Sequence, residues 1–145
     1  MLQRPPELAV GAQEAKTNAG CAKASDIVLI CVTGSPQVEE TVYGKDGLLE
    51  AARAGLIVVD TSTAEPASSA KIRADLNARG VKFVDAPLAR TPPDAEAGRL
   101  NVMVGATAAQ FALLEPVIRA FAENVFHVGQ PGAGYLTVWN CAATR

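Results

Sequence analysis

Three apolar runs stand out in the pattern of hydrophobic and polar residues. They cover residues 27–32 (IVLICV), 56–59 (LIVV) and 81–84 (VKFV). Each run is continuous or nearly so and is rich in β-branched side chains, which suits parallel strands covered on both faces better than a sheet with one face in water. The pattern therefore predicts three buried parallel strands.

Helical stretches separate these runs. The first begins at Ser35, which is expected to cap the helix, and Pro36, and it continues to Tyr43. The second begins at Glu65-Pro66 and ends at Arg79-Gly80. Because strands and helices alternate, we predict an open α/β sheet with right-handed crossovers.

Another strand and helix follow. Residues 101–105 (NVMVG) predict the strand, and Thr107 with Gln110 three residues later forms a capping-box signature for the helix. We expect this helix to reach toward Asn124, with a kink or a restart at Pro116.

The last part of the chain predicts one more strand and a turn. Residues 125–128 (VFHV) form the strand, and residues 129–134 (GQPGAG) form a flexible turn before a short apolar tail.

Length and composition exclude several classes of protein. The 145 residues fit a single domain, and 49% of them are hydrophobic while 19% are charged. Thirteen basic and fifteen acidic side chains give a net charge of -2, so we expect neither disorder nor a nucleic-acid partner. The longest clean apolar run is too short to cross a bilayer, and the first residues lack the apolar centre of a signal peptide. A cytoplasmic protein without a membrane partner is expected.

The cysteines and the histidine do not predict a metal site. Cys21, Cys31 and Cys141 have no metal-binding or Cys-x-x-Cys spacing, so we expect reduced thiols. The single histidine, His127, lies in a predicted strand and has no other metal ligand nearby in the sequence. We assign it no role.

Polar segments follow each predicted strand. In an open α/β sheet, ligands bind outside the carboxyl ends of the strands. The segments there are residues 33–35 (TGS), 60–63 (DTST), 85–91 (DAPLART) and 129–134 (GQPGAG). They offer hydroxyls and backbone amides, and the first two open into helices whose positive ends favour phosphate or carboxylate. We therefore expect a polar crevice that accepts an anion.

Each segment also has a purely structural interpretation. The hydroxyls after the first two strands serve equally well as helix caps. Gly132-Ala133-Gly134 is a lone Gly-x-Gly, which is more often a turn than a phosphate cradle. Arg90 fits an ordinary solvated loop charge. Taken one at a time, these segments leave both interpretations open.

The order of the motifs is more specific than any one of them. Val-Thr, Gly-Leu-Leu, Val-Val-Asp-Thr-Ser-Thr, Phe-Val-Asp-Ala-Pro-Leu, Gly-x-Leu-x-x-Met-Val-Gly and a final Gly-Ala-Gly follow one another along the chain. From about Gly11 to about Asn140 the sequence resembles the β-hydroxyacid dehydrogenase family, which includes 3-hydroxyisobutyrate, 6-phosphogluconate and tartronate-semialdehyde enzymes. The resemblance implies a Rossmann-like, mostly parallel sheet with helices on both faces. It also implies NAD or NADP as the cofactor and hydride transfer to or from a short 3-hydroxy acid.

The resemblance implies a set of cofactor-binding residues. Val32 and Thr33 match the family dipeptide that lies along the cofactor, and Gln37 falls near a family amide that touches it. Ser62 and Thr63 match the end of the family's Asp-x-Ser-Thr, beside the nicotinamide.

It also implies a substrate-binding set. Ala89, Arg90 and Thr91 stand where the family commonly has Ser-Gly-Gly, and the arginine is similar to that of sulfolactaldehyde reductases. A planar guanidinium offers paired donors to a sulfonate or carboxylate, so a small anionic substrate is implied. With a one-residue slip, Asn140 matches the first of the family's paired asparagines.

Three departures from the family pattern limit these expectations. The Gly-x-Gly-x-x-Gly turn and the first βα unit are missing from the sequence, so residues 1–145 are expected to form one partial NAD(P)-binding domain with weak or lost cofactor affinity. The family's catalytic lysine falls on Val138, and no lysine follows Lys82. The 145 residues are also expected to contain no counterpart of the family's C-terminal helical domain.

We therefore assign no catalytic residue and no metal. The expectation is an NAD(P)-binding domain of a 3-hydroxyacid dehydrogenase, inactive as this chain alone. The alternative is a catalytically silent remnant that pairs with itself, as a homodimer, or with another partner through surfaces left open.

Overall fold

The structure is a computed structural model that describes residues 10–143, including the side chains of residues 10–138. Six strands form one sheet: β1 (Ile27–Ile30), β2 (Ile57–Asp60), β3 (Lys82–Asp85), β4 (Leu88–Ala89), β5 (Leu100–Gly105) and β6 (Ala122–Gly129). The helices are α1 (Asn18–Ala24), α2 (Ser35–Tyr43), α3 (Leu48–Ala51), α4 (Pro66–Asn77), α5 (Pro92–Glu96), α6 (Ala108–Ile118) and α7 (Ala133–Ala143).

The sheet combines parallel and antiparallel pairs. β1, β2 and β3 are parallel neighbours in that order, as predicted. β5 runs antiparallel to β3 and β4, and β6 runs parallel to β5. The Rossmann-like α/β class is confirmed, but β6 points opposite to β1–β3. The segment after β6 therefore does not follow a strand of the parallel set.

The two faces of the sheet carry separate cores. Val58 and Val59 are both fully buried, yet they belong to different cores because consecutive strand residues point to opposite faces. The first core packs α2 and α4 against the sheet, mainly through Val38, Val42, Ile72 and Leu76. The second packs α6 through Leu114 and Ile118. Helices on both faces explain why the strands read as continuous apolar runs.

The second face is incompletely covered at β1. Leu29 is the register partner of Val59 and so belongs to the same face, but 43% of Leu29 is exposed. Within residues 10–143, β1 pairs with β2 alone and leaves its other edge without a strand.

The helix after β5 is shorter than predicted. Its capping box forms as expected, because Thr107 N–H donates to Gln110 and Gln110 N–H donates to the Thr107 hydroxyl. However, α6 ends at Ile118, two residues beyond Pro116, without restarting. Residues from Ala122 onward pair with β5 instead, so their backbone N–H and C=O groups bond to a neighbouring strand.

Two other local expectations were wrong. Gly34, and not Ser35, is the N-cap of α2, and the Ser35 hydroxyl accepts a hydrogen bond from Glu65 N–H at 2.7 Å. The short apolar tail after Gly132 is helix α7, and long-range contacts hold its start. Among the described residues, no helix is long and apolar enough to span a membrane.

Candidate functional site

The loops that follow β1, β2 and β3 are tied to one another, and we call this end of the sheet the carboxyl edge. Val32 N–H donates to the Ser62 hydroxyl at 2.9 Å, which joins the first two loops. The Thr61 hydroxyl donates to the carbonyl of Ile30 at 2.7 Å. Leu88 N–H donates to the Thr61 carbonyl at 3.3 Å, which adds the third loop. These bonds hold the backbone of the carboxyl edge in place.

Three of the predicted cofactor residues present exposed polar side chains at this edge. Thr33 and Gln37 lie at the start of α2, and Thr63 lies just before α4. A helix amino terminus carries partial positive charge and unpaired N–H groups, so these hydroxyl and amide groups stand in a region that favours an electron-rich ligand.

The other two predicted cofactor residues have structural contacts. Ser62 is 3% exposed; its hydroxyl accepts from Val32, and its own N–H donates to Asp60 at 2.9 Å. Val32 is half-buried and uses its N–H in the same bond. The hydrogen bond between Val32 and Ser62 therefore braces, that is, holds together, the two loops that contain Thr33 and Thr63.

A buried carboxylate anchors α7 to the end of β3. Asp85 is fully buried, and its carboxylate accepts hydrogen bonds from the N–H groups of Gly132 at 2.5 Å, Gly134 at 2.8 Å and Tyr135 at 3.2 Å. Burial raises the pKa of Asp85, while the N–H groups of Gly132 and Tyr135 and the charge of Arg73, 3.9 Å away, act in the opposite direction. The Gly-x-Gly segment thus gives its donors to a carboxylate of the chain itself.

A second buried contact reinforces this anchor. The Tyr135 hydroxyl donates to Asp60 at 2.5 Å, and burial followed by the charge of Asp60 raises the pKa of Tyr135. Gly134 permits the close approach, since a Cβ there would lie 2.5 Å from the carbonyl oxygen of Met103. Sequence reasoning missed Asp60, Asp85 and Tyr135 as anchors; the available signal was an aspartate ending two neighbouring apolar strands.

The predicted substrate residues occupy a different part of the third loop. Ala89 pairs with Asn101 of β5. The Arg90 Nη1 donates to the Arg99 carbonyl at 2.7 Å and to Glu123 Oε2 at 2.6 Å. Thr91 begins α5, and its hydroxyl donates to Asp94 at 2.7 Å. These residues lie beside the start of β5 and β6, whereas Thr33, Gln37 and Thr63 lie beside α2 and α4.

The two remaining positions are in α7. Val138, which matches the family's lysine position, is half-buried. The side chain of Asn140 lies outside the described residues. Within residues 10–138 the side chains of His, Cys, Asp and Glu form no group of three or more that could hold a metal ion.

Comparison with known proteins shows the family directly. Residues 4–129 match the family model described as the NAD binding domain of 6-phosphogluconate dehydrogenase. This match covers most of the chain, and it confirms NAD or NADP as the cofactor class of the family.

Curated relatives agree with this assignment. The chain is 38% identical over 127 residues to 2-(hydroxymethyl)glutarate dehydrogenase from Eubacterium barkeri, covering 88% of this chain and 42% of the relative. It is 30% identical over 124 residues to 3-sulfolactaldehyde reductase from Escherichia coli K12, covering 86% and 42%. The chain therefore spans less than half the length of these two relatives.

Solved structures show the same fold. The chain is similar to 3-hydroxyisobutyrate dehydrogenase from Salmonella typhimurium, with a TM-score of 0.81, 32% identity and coverage of 90% of this chain and 46% of the other. It is also similar to Psf3, solved in complex with NADP+ and 2-OPP, with a TM-score of 0.84, 27% identity and coverage of 97% and 52%. The chain belongs to the β-hydroxyacid dehydrogenase family, through the NAD-binding domain that its members share with 6-phosphogluconate dehydrogenase.

Proposed function

We propose that this chain forms the NAD(P)-binding part of an oxidoreductase that acts on a small anionic hydroxy acid or its aldehyde. The observation that carries the proposal is the braced carboxyl edge, where the Ser62–Val32 hydrogen bond holds exposed Thr33 and Thr63 beside two helix amino termini. Loops and helix termini at the carboxyl ends of parallel strands form the usual ligand site of an open α/β sheet.

The polar groups at this edge fit a nicotinamide cofactor. Thr33, Gln37 and Thr63 are uncharged donors and acceptors, which suit the amide and hydroxyl groups of a nicotinamide riboside. When bound, NAD or NADP supplies hydride transfer at its nicotinamide ring. The role of Thr33, Gln37 and Thr63 is to orient that end of the cofactor, while Ser62 and Val32 keep the loops in register.

The third loop is the proposed substrate site. Arg90 would bind a sulfonate or carboxylate through its guanidinium, next to Ala89 and Thr91, and Asn140 completes the proposed set. Support comes from the similarity to a 3-sulfolactaldehyde reductase and from the partial exposure of the Arg90 side chain, which is 33%.

We further propose that the chain by itself has no appreciable turnover. Val138 cannot exchange a proton, and the sequence contains no lysine after Lys82. Loss of a general acid or base typically lowers a rate by about 10²- to 10⁴-fold. Incubation of the chain with NAD or NADP and short 3-hydroxy acids is therefore expected to give no NADH or NADPH that scales with chain concentration.

Cofactor binding tests the proposal. In titrations of the isotope-labelled chain with NADPH and NADH, we expect chemical-shift changes at Thr33, Gln37 and Thr63, with a dissociation constant no tighter than roughly millimolar, about -4 kcal/mol. Thr63→Val removes one hydroxyl and is expected to weaken binding about 2- to 10-fold.

The matched control is Ser68→Ala, which removes a hydroxyl that bonds Glu39 on the sides of α4 and α2. It should leave binding unchanged. Shift changes confined to other surfaces, or equal effects of the two substitutions, would contradict the proposed cofactor site. Micromolar affinity would contradict the expected weak binding.

A second candidate function is a self-associating module without catalysis. Exposed Leu29 on β1, whose outer edge carries no strand within residues 10–143, favours this function, because an unpaired strand edge with an apolar side chain readily pairs with another chain. Sedimentation velocity over a series of chain concentrations tests this second function.

A further inference from the structure

Arg90 has an unusual backbone conformation for a residue with a side chain. Its φ is +96°, in a region that glycine adopts far more readily, and the family commonly has glycine at this place in the motif. Such a conformation is strained and persists only where surrounding contacts enforce it. The contacts of Arg90 must therefore hold its backbone in this conformation.

Among residues 10–138, the contacts of the Arg90 guanidinium lie along one side, at Nη1. Both hydrogens of Nη1 are used, one toward the Arg99 carbonyl at 2.7 Å and the other toward Glu123 Oε2 at 2.6 Å. The Nε and Nη2 atoms form the other edge of the planar group, and this edge carries paired N–H donors in the geometry that binds a carboxylate or sulfonate side-on.

Glu123 reaches Arg90 because of an irregularity in β6. Leu100 pairs with Ala122, but the next residue, Asn101, pairs with Asn124. Glu123 is thus the extra residue of a β-bulge. Bulges re-aim a side chain and are enriched next to functional sites.

Both residues of this ion pair lie in irregular backbone. The positive φ of Arg90 and the bulge at Glu123 depart from the lowest-energy backbone conformation, and the stability that the ion pair adds does not explain them. The side chains of Arg90 and Glu123 are 33% and 47% exposed, and ion pairs with this much exposure contribute little to stability.

We propose that Glu123 is a positioning residue for anion recognition: with the Arg99 carbonyl it fixes Nη1 of Arg90 and so presents the Nε–Nη2 edge to the anionic group of the substrate. The inference rests on the proposed substrate site and adds the residue that prepares it. Glu123 does not contact the anion itself. Its effect is to remove rotamer freedom from Arg90 before binding, which lowers the entropic cost of binding.

The test measures binding of methanesulfonate to the full chain through the backbone N–H signals of Ala89 and Thr91, which are present in every variant. E123A removes the anchor and is expected to weaken binding about 5-fold, since the freed arginine must be ordered on binding. E123Q keeps a side-chain oxygen that accepts from Nη1, and it should bind within about 2-fold of the unchanged chain. A residue that merely supports the fold would not show this rescue.

The outcomes distinguish the positioning role of Glu123 from the proposed substrate site at Arg90. If R90K binds as well as the unchanged chain, the anion does not use Arg90, and the proposed substrate site is wrong. If R90K weakens binding but E123A leaves it unchanged or tightens it, only the positioning role is wrong, and Glu123 competes with the anion. An equal loss of methanesulfonate affinity in E123A and E123Q would also overturn the positioning role of Glu123.

A measurement on the unchanged chain covers the case in which E123A does not fold. ¹⁵N relaxation of the arginine Nε atoms is expected to show Arg90 more ordered than Arg119, which is also exposed and pairs with Glu115, four residues earlier in the chain. An Arg90 side chain as mobile as that of Arg119 would overturn the inference.

Discussion

At the scale of single residues, Asp85 connects the end of β3 to the start of α7. Its carboxylate accepts three backbone N–H groups across 47 to 50 residues of sequence. The carboxylate supplies the negative charge that a helix amino terminus favours, so no external anion is needed to satisfy these donors. The residues that continue into α7, including Val138, depend on this anchor for their placement.

We predict that Asp85→Asn destabilises the chain by about 2–3 kcal/mol, because an amide presents one N–H group toward donors that need an acceptor. Chemical denaturation measures the free energy of unfolding. Asp26→Asn is the control, since Asp26 is 91% exposed and its pair with Arg53 is expected to contribute at most about 1 kcal/mol.

Comparison across pH tests the same carboxyl group. Because burial raises the pKa of Asp85, the folded chain holds this proton to a higher pH than the unfolded chain does. The stability that Asp85 contributes therefore falls as pH rises from about 4 through the raised pKa, by at most about 1.4 kcal/mol per pH unit. The difference in free energy of unfolding between the unchanged chain and D85N should therefore narrow over that pH range. A widening difference would contradict the raised pKa of Asp85.

At the scale of elements, the capping box of α6 is a local device that behaves as its sequence suggests. Thr107 and Gln110 satisfy each other's backbone N–H groups at the start of the helix. The end of the helix is different, because β6 takes residues from Ala122 onward into the sheet. The start of this element is set by neighbours in sequence, and its end by a partner in space.

Thr107→Ala is expected to lower the free energy of unfolding by about 1 kcal/mol, since one N–H at the helix start loses its acceptor. Thermal or urea unfolding measures the loss. Thr107→Ser keeps the hydroxyl and should stay within a few tenths of a kcal/mol of the unchanged chain. If the serine variant lost as much free energy of unfolding as the alanine variant, the methyl group of Thr107, and not its capping hydroxyl, would be the stabilising group.

At the scale of the whole molecule, the part of the sheet that no helix or strand of the described residues covers favours association with other chains. α6 covers the second face over β3 and β5, but Leu29 remains exposed on β1, whose outer edge has no strand among residues 10–143. Open edges with apolar side chains favour association.

We predict concentration-dependent self-association through this edge, measured by sedimentation velocity over a series of chain concentrations. Leu29→Lys should shift the chain to monomer, because a charged side chain on an edge strand opposes pairing. Leu113→Lys is the matched control, as Leu113 is also an exposed leucine, at 52%, but lies on α6. A monomer at every concentration, or an equal effect of both substitutions, would rule out pairing through β1.

Much of the fold follows from local sequence. β2 and β3, and the helices α2 and α4, were predicted within a few residues, because a buried strand needs a continuous apolar run and a helix start carries proline or capping residues nearby. The loops that bear Thr33 and Thr63 were predicted for the same reason, since they follow those strands directly. Their use in cofactor binding remains a prediction.

Other parts could not be predicted from neighbouring residues. No pattern near Glu123 indicates that it pairs with Arg90, 33 residues earlier, because the bulge that aims it exists only once β5 and β6 pair. The same holds for Asp85, whose partners lie in α7.

The α/β class, the three parallel strands and the family of this chain could all be predicted from the sequence, because apolar runs, caps and ordered motifs are properties of adjacent residues. The direction of β6, the helix α7, the hydrogen bond between Val32 and Ser62 and the pairing of Arg90 with Glu123 became visible in the folded chain alone. The physical reason is that hydrogen bonds and ion pairs between distant segments form only after strand pairing has brought those segments together.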